Sequence, residues 1–288
     1  MCCFGMPCRC VTDMRCRNYI MLLWVLLAGC LAGVRAEETY PHENILSLRY
    51  GGMWQQDQYL SPLLYEGMEA GIGNEWWQAF RRNGRWEHMG RLDLTFGWLL
   101  SEKQSNRLYG LDIEAGWGAM YRWDFAFGTR HAQQVQLLLG PYAAIDWAPR
   151  MLVSNVNKPY SMDAAAEVQA LAGVRYTLTA RRTAYRLSYI VRANIIGADF
   201  MPDYWQSYYE LTEGVRGDIR CAGMWNRRYL HHELTLDILC PHSSWRVGLR
   251  HEYLEYGQGA MWFSREQVAV VLGTCFRYGV KALEIKNK

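Results

Sequence analysis

The sequence of 288 residues lacks most of the features that would assign it to a well-known class. After residue 36 there is no apolar run of about 18 residues, which excludes a membrane-spanning helix there. No P-loop, dinucleotide fingerprint, zincin motif or nucleophile elbow occurs after residue 36 either. We therefore predict no cofactor, no metal and no catalytic residue, and we expect a protein that is not an enzyme.

Cysteine is also scarce after the first 30 residues, because only Cys221, Cys240 and Cys275 remain. Their spacing is not that of a metal site, and an odd number cannot pair completely. A Cys221–Cys240 disulfide would form only in an oxidising compartment. We favour the alternative that all three are small buried or lipid-facing hydrophobic residues.

The amino terminus is typical of a targeting segment. Arg15 and Arg17 precede an apolar core, and small residues lead to Ala36, after which we expect cleavage. Met14 is a candidate start. Residues 1–36 are thus predicted to be a signal peptide and residues 37–288 the mature domain. Lipidation at Cys30, within Leu27–Cys30, is the competing interpretation, and an uncleaved anchor is disfavoured because the apolar core is short.

The predicted mature chain carries no excess of charge of either sign, with 27 Lys and Arg against 27 Asp and Glu. Nucleic acid requires a basic face, so we expect no nucleic-acid partner. An exported, charge-balanced chain with 14% aromatic residues belongs in the periplasm or the outer membrane.

Alternation of apolar and polar residues dominates the rest of the sequence. Leu92, Leu94 and Phe96, for example, alternate with charged or small residues. A period of two predicts strands whose two faces meet different surroundings. Charge fills one face and Trp, Tyr and Leu fill the other, which favours an all-β, antiparallel transmembrane β-barrel of about 12 strands over a soluble sandwich. The predicted strands are 44–53, 64–73, 86–100, 107–121, 134–148, 165–180, 183–197, 204–213, 217–226, 228–240, 244–256 and 265–280.

The strand number follows from a topological test. Short turns of membrane barrels belong on the periplasmic side. The tightest predicted turns are 181–182 and 241–242, and twelve strands place both on that side together with the two chain ends. A two-residue turn at 241–242 also sets Asp237 opposite Arg246 and Glu233 opposite Arg250.

The polar face is predicted to form a lumen charge network with seven residues of each sign. Such a balance favours a narrow or plugged barrel, since an ion-selective pore would show a ring of one sign. The aromatic residues of the other face lie near strand ends, where aromatic girdles belong. The network comprises Arg91, Asp93, Asp112, Glu114, Glu167, Arg175, Arg186, Arg192, Glu233, Asp237, Arg246, Arg250, Glu252 and Arg277.

Three groups of residues are candidate sites. His232 is predicted to lie opposite His251 on the outward face, but without an adjacent serine we interpret the pair as polar rim residues. Glu252 and Glu255 point to opposite faces and cannot act as a carboxylate pair. Two loops combine Ser, aromatic and carboxylate residues and are candidates for ligand binding or for constricting the barrel, although packing at the rim is favoured. Their residues are Tyr59, Ser61, Tyr65, Glu66, Ser207, Tyr208, Tyr209 and Glu210.

Three motifs carry a family resemblance. Tyr59–Gly67, Ser207–Glu210 and Leu234–Asp237, the last leading into Pro241, together resemble a domain-of-unknown-function family of Bacteroidetes outer-membrane β-barrel proteins. The resemblance implies an outer-membrane barrel with no assigned activity and no catalytic residues to transfer.

We accordingly expect a cell outer-membrane protein that is structural, or that binds or passes a small, unidentified solute. Its partners would be outer-membrane lipid and the barrel-assembly machinery. The alternatives are a lipid-modifying barrel enzyme and a lipid-anchored periplasmic β-sandwich binding protein.

Overall fold

The computed structural model describes residues 42–80, 84–102, 106–127, 133–155, 159–180, 183–201, 218–240, 244–258 and 261–278. Its elements are eleven β-strands. No helix among these residues is long and apolar enough to cross a membrane. The strands are β1 (His42–Asp57), β2 (Ser61–Ala79), β3 (Trp86–Ser101), β4 (Arg107–Phe127), β5 (Gln133–Leu152), β6 (Tyr160–Ala180), β7 (Thr183–Met201), β8 (Asp218–Gly223), β9 (Arg227–Leu239), β10 (Ser244–Gln258) and β11 (Met261–Tyr278).

Ten of the strands close into an antiparallel barrel. Each pairs with its neighbours along the chain, β7 pairs with β9, and β1 pairs with β11 to complete the ring. Closure leaves no open edge of the kind that a sandwich has, so the predicted barrel class is confirmed and the β-sandwich alternative is wrong.

The predicted number of about 12 strands is wrong. The expected strand 217–226 corresponds to β8, but β8 does not enter the ring separately. It pairs with residues 196–201 of β7, while β9 pairs with residues 184–193 of the same strand. β8 therefore continues the line of β9. The other expected strand, 204–213, lies outside the described residues.

The interruption between β8 and β9 is held by an asparagine side chain. Asn226 Oδ1 accepts a hydrogen bond from the Gly223 amide at 2.8 Å, and its Nδ2 donates to the Cys221 carbonyl at 2.8 Å. Across the pair, the Asn194 side chain bridges the backbone of Arg227 and Tyr229. These bonds satisfy backbone groups that the broken ladder leaves unpaired.

Both ends of the described chain lie at one end of the barrel, here called the terminal end. Strands β6 and β9 end, and β7 and β10 begin, at this same end, which is where the two tight turns were predicted. The agreement survives the wrong strand count because ten, like twelve, is an even number. β7 ends and β8 begins at the opposite end.

The predicted register of the β9–β10 hairpin is confirmed. Asp237 lies opposite Arg246, Glu233 opposite Arg250, and His232 opposite His251. Along β9, buried and more exposed residues alternate without a break. Because side chains change face at every residue, this register sends all the charged residues of β9 after Arg228 into the barrel.

The outer wall is apolar over much of its area. Large hydrophobic side chains stand outward and are at least 37% exposed on nearly every strand. A wall of this size facing water would be costly, so the outside is matched to apolar surroundings. Representative members are Leu46, Leu48, Leu92, Phe96, Leu139, Ile145, Leu187, Leu249, Val270 and Leu272.

Candidate functional site: the charged interior

The interior of the barrel is dominated by charged side chains. Of the fourteen predicted network residues, all but Asp112 and Arg277 are buried. Asp112 is partly exposed and pairs with Arg265. Arg277 is exposed and donates to the Cys240 carbonyl at 3.2 Å, so its inward position on β11 lies at the terminal end, away from the interior network.

The buried cationic side chains are arginines, because the five lysines of the sequence all lie outside the described residues. Arginine suits this environment. Its guanidinium is less strongly hydrated than an ammonium group, and it offers five donors in a planar fork to carboxylates. Several arginines can therefore share one carboxylate, and one arginine can contact several carboxylates.

Asp93 is the centre of the network. Its carboxylate forms an ion pair with Arg49 Nη1 at 2.6 Å and accepts hydrogen bonds from Arg91 Nε at 2.6 Å and from Arg250 Nη1 at 2.7 Å. These residues come from β1, β3 and β10, so one carboxylate joins opposite parts of the wall. Gly73, on β2, allows the approach, since a Cβ atom there would overlap the Asp93 carboxylate.

Ion pairs span the lumen from wall to wall. Arg91 on β3 reaches Glu233 on β9 at 2.7 Å, although five steps around the ring separate these strands. Glu233 and Arg250 were predicted as a cross-strand pair, but Glu233 pairs with Arg91 across the barrel, and Arg250 pairs with Asp93 across the barrel and with Glu252 on its own strand. Further ion pairs join strands two to four steps apart around the ring: Arg192–Glu114 at 2.5 Å, Arg186–Glu43 at 2.7 Å, Arg246–Glu75 at 2.9 Å, Arg150–Asp57 at 3.1 Å, Arg175–Glu87 at 2.9 Å and Arg227–Glu167.

A buried histidine links two parts of this network. His231 is fully buried, with Nδ1 2.7 Å from Glu252 Oε1 and Nε2 3.3 Å from Glu233 Oε2. The Tyr229 hydroxyl lies 2.9 Å from Glu252 Oε1 and 3.1 Å from Glu114 Oε2, and its single proton is donated to one of these carboxylates at a time. The result is a continuous chain of hydrogen-bonded and charged groups across the middle of the barrel.

Sequence reasoning missed many members of the network. Five of them lie on β1, β2 and β5, whose inward charges were not counted, and Arg265 lies on β11, of which only Arg277 was counted. A signal was present in the sequence, because Glu69 and Glu75 are an even number of residues apart on β2 and therefore lie on the same face. The missed buried charges are Arg49, Asp57, Glu69, Glu75, Glu87, Arg150, Asp163, Asp199, Arg227, His231 and Arg265.

Apolar side chains fill the interior on both sides of the charges. One group, the opposite-end cluster, consists of Met53, Tyr59, Leu60, Tyr65, Leu99, Leu108, Leu152, Tyr229, Leu254, Tyr256 and Phe263. A second cluster extends from the terminal end to the middle and includes Ile45, Trp77, Met89, Met120, Leu138, Tyr142 and Leu171. An arginine of the charged network also contacts the opposite-end cluster, because the Arg150 guanidinium lies 4.1 Å from the Phe263 ring centre.

The first candidate loop packs into the opposite-end cluster. Tyr59 and Tyr65 are buried, at 3% and 1% exposure. Ser61 accepts a hydrogen bond from the Leu63 amide at 3.2 Å, and Glu66 is exposed on the outer face. The turn therefore brings Tyr59 and Leu60 inward over the charged layer. The second group, Ser207, Tyr208, Tyr209 and Glu210, lies outside the described residues.

A small polar cavity of about 20 Å³ lies within the network, lined by carboxylates such as Asp146 and Glu167 and by Arg227 and Arg265. A cavity needs about 10–15 Å³ to hold one water molecule. Among the described residues, no group of three or more His, Cys, Asp or Glu side chains is arranged to hold a metal ion. This cavity is large enough for a water molecule and too small for a solute.

Polar groups also form a line on the outer wall. Tyr189 Oη lies 2.9 Å from His232 Nδ1, the His232 and His251 rings stack with centres 5.7 Å apart, and His251 Nε2 lies 3.1 Å from Glu266 Oε1. Toward the terminal end, the next outward residues of the same strands are apolar, including Leu234 and Leu249.

The two carboxylates considered as a pair lie on opposite faces of β10, as predicted: Glu255 is outward and Glu252 is inward.

None of the three cysteines of the predicted mature chain, all within the described residues, forms a disulfide. The optional Cys221–Cys240 disulfide is therefore not formed. Cys275 is buried in the terminal-end cluster, while Cys221 and Cys240 are partly exposed.

Fold and interior together define a closed antiparallel β-barrel with an ion-paired core and an apolar outer wall. The chain belongs to the family described as "Protein of unknown function (DUF3316)", whose model matches residues 19–258. The predicted membership of a family of unknown function is confirmed. A comparison with curated proteins found no match.

Solved structures with a similar fold include the outer membrane protease OmpT of Escherichia coli, at 6% identity and a TM-score of 0.46, covering 85% of this chain and 99% of that one. The transport unit of the autotransporter AIDA-I from Escherichia coli is 9% identical, with a TM-score of 0.40 and coverage of 90% and 97%. A major outer membrane protein from Thermus thermophilus is 8% identical, with a TM-score of 0.36 and coverage of 82% and 99%.

Proposed function

We propose that this protein is an outer-membrane β-barrel whose lumen is closed, and that it acts as a non-enzymatic scaffold in the membrane rather than as an open channel. The observation that carries the proposal is the filled interior, in which a cross-lumen ion-pair network lies between two apolar clusters. The proposal includes export by a signal peptide over residues 1–36 and the Bacteroidetes affiliation that the three motifs indicated.

The outer wall supports membrane insertion. Its exposed Leu, Ile, Val and Phe side chains would be solvated by lipid, and the closed ring pairs each of its ten strands with a neighbour on both sides. Trp147, Tyr185 and Trp245 are outward and at least 40% exposed, as aromatic residues of a membrane girdle are. Both tight turns and both chain ends would then face the periplasm.

The ion pairs support closure. Pairs such as Arg91–Glu233 and Arg192–Glu114 cross the path that a solute would follow. Opening that path would separate buried opposite charges, which costs several kcal/mol for each uncompensated ion. A wide, permanent water path is therefore not compatible with the network, whereas single waters fit the 20 Å³ cavity.

No nucleophile and general base are brought together by the described residues. On the outer wall, His232 and His251 contact Tyr189, each other and Glu266, and none of these is an activated serine or cysteine. Recognition of a small solute by the Tyr59–Gly67 and 202–210 segments stays a prediction. Tyr59 and Tyr65 are buried against other side chains, which does not favour their binding a solute.

The experiment is conductance of the purified full-length protein in planar bilayers, with a general porin as the positive control. We expect a compact band on unboiled gels that is lost on boiling, together with no steady conductance steps. Regular single-channel steps from the compact form would refute closure. Release of the protein from cells by osmotic shock would refute membrane insertion independently.

A further inference from the structure

We propose that the outward pair His232 and His251 forms a surface site for a divalent transition-metal ion of the imidazole-binding group, Cu²⁺, Ni²⁺ or Zn²⁺. The two rings come from directly opposed residues of β9 and β10. The proposal does not depend on closure of the lumen, because both side chains lie outside the barrel.

The separation of the rings fits a shared ion. Metal–nitrogen distances near 2.0–2.1 Å place the centres of two imidazoles on one ion about 4.5–6.4 Å apart, depending on the angle at the metal. The observed centre-to-centre distance is 5.7 Å. The planes are inclined by 16°, so rotation about the two Cβ–Cγ bonds is needed to direct one nitrogen of each ring at the same ion.

Each ring has one nitrogen engaged and one free for coordination. His251 uses Nε2 toward Glu266 at 3.1 Å, which leaves Nδ1 for the metal. His232 uses Nδ1 toward the Tyr189 hydroxyl at 2.9 Å, which leaves Nε2 in the tautomer that donates to Tyr189. Metal-binding histidines characteristically donate their second nitrogen to a carboxylate or another oxygen, which fixes the tautomer and increases ligand basicity.

The surroundings favour a metal over an isolated histidine pair. A divalent ion takes the lone pair of one neutral nitrogen from each ring, and the Glu266 carboxylate, 3.1 Å from His251 Nε2, offsets part of its charge. The His251 side chain is 37% exposed and Glu266 52%, so water can reach the ion and complete its coordination. Imidazole ligands select Cu²⁺, Ni²⁺ and Zn²⁺ over Mg²⁺ and Ca²⁺.

The test is titration of the purified full-length protein in detergent with Cu²⁺ after treatment with a chelator, followed by electron paramagnetic resonance. We expect one bound Cu²⁺ whose spectrum shows two coordinating nitrogens. His232→Gln and His251→Gln should each reduce affinity by more than about tenfold and leave a one-nitrogen spectrum. Glu266→Gln keeps both ligands and should weaken binding by about 10–100-fold without changing the number of nitrogens.

His88→Gln is the matched control. His88 is also outward and its Nδ1 accepts from Trp117 Nε1 at 3.3 Å, but it has no histidine directly opposite. This variant should bind Cu²⁺ like the wild type. Unchanged binding by His232→Gln and His251→Gln, with compact bands on unboiled gels, would overturn the proposal. So would an equal loss in His88→Gln.

Discussion

His231 and His232 are neighbours in the sequence and lie in opposite environments. His231 is fully buried in the lumen and contacts Glu252 and Glu233, both of which also pair with arginine. His232 is on the outer wall and contacts a tyrosine and a second histidine. One residue along a strand thus changes the partners of an imidazole from charges to aromatic groups.

The comparison shows what each face requires. Inside, a polar atom is removed from bulk water, so removing one member of an ion pair leaves its charged partner unsatisfied. Outside, a polar atom near the edge of the apolar wall can meet interfacial water or lipid head groups. We therefore expect energetic effects to be large for inward residues and small for outward ones, and three predictions test this difference.

The largest effect is expected for Asp93→Leu. The change leaves Arg49, Arg91 and Arg250 without the carboxylate that they share. Removing one partner of a buried ion pair costs about 3–5 kcal/mol, so the free energy of unfolding should fall by at least that amount. Urea unfolding in detergent micelles, followed by tryptophan fluorescence, measures the change.

Glu66→Leu is the control for this experiment, since Glu66 is an exposed carboxylate on the outer face of β2. Its substitution should change stability by no more than about 0.5 kcal/mol. If Asp93→Leu does not fold, Asp93→Asn, which keeps the shape and one acceptor oxygen, should fold and show a smaller loss. Equal effects at Asp93 and Glu66 would contradict the distinction between the two faces.

A smaller loss is expected for His231→Leu. Glu252 and Glu233 each lose one partner but keep an arginine, Arg250 and Arg91 respectively. A buried acceptor deprived of one hydrogen bond costs about 1–3 kcal/mol, and that is the expected decrease in unfolding free energy. Thermal loss of the compact gel band gives a second measure. A variant as stable as the wild type would show that His231 only fills space.

The sequence alone was sufficient to predict the features that follow from the alternation of apolar and polar residues within a strand. Alternation predicted the barrel and the outward face of His232, because side-chain direction in a strand follows residue number alone. The predicted turns 181–182 and 241–242 were equally local signals: the second set the β9–β10 register, and the placement of both at the terminal end required only an even number of strands.

Features that depend on contacts between residues far apart in the sequence could not be predicted from this alternation. β8 has the alternation and length of a short strand, and its pairing with the same strand β7 that pairs with β9 shows that it continues β9. Glu233 and Arg250 are directly opposed, but arginine side chains are long enough to reach across a ten-stranded barrel. Their partners, Arg91 and Asp93, lie on a strand that no local pattern connects to them.

The smallest effect is expected for His232→Leu, measured in buffer containing a chelator. The variant loses the bond to the Tyr189 hydroxyl and the contact with the His251 ring, but both groups are on the outer face and can be solvated at the interface. An additional leucine would extend the apolar surface formed by Leu234 and Leu249. These changes offset each other, so stability should change by less than about 0.5 kcal/mol. A decrease in unfolding free energy as large as that of His231→Leu would mean that the line of polar groups on the outer wall stabilises the fold as much as the buried network does. Inward and outward residues of β9 would then contribute equally to stability.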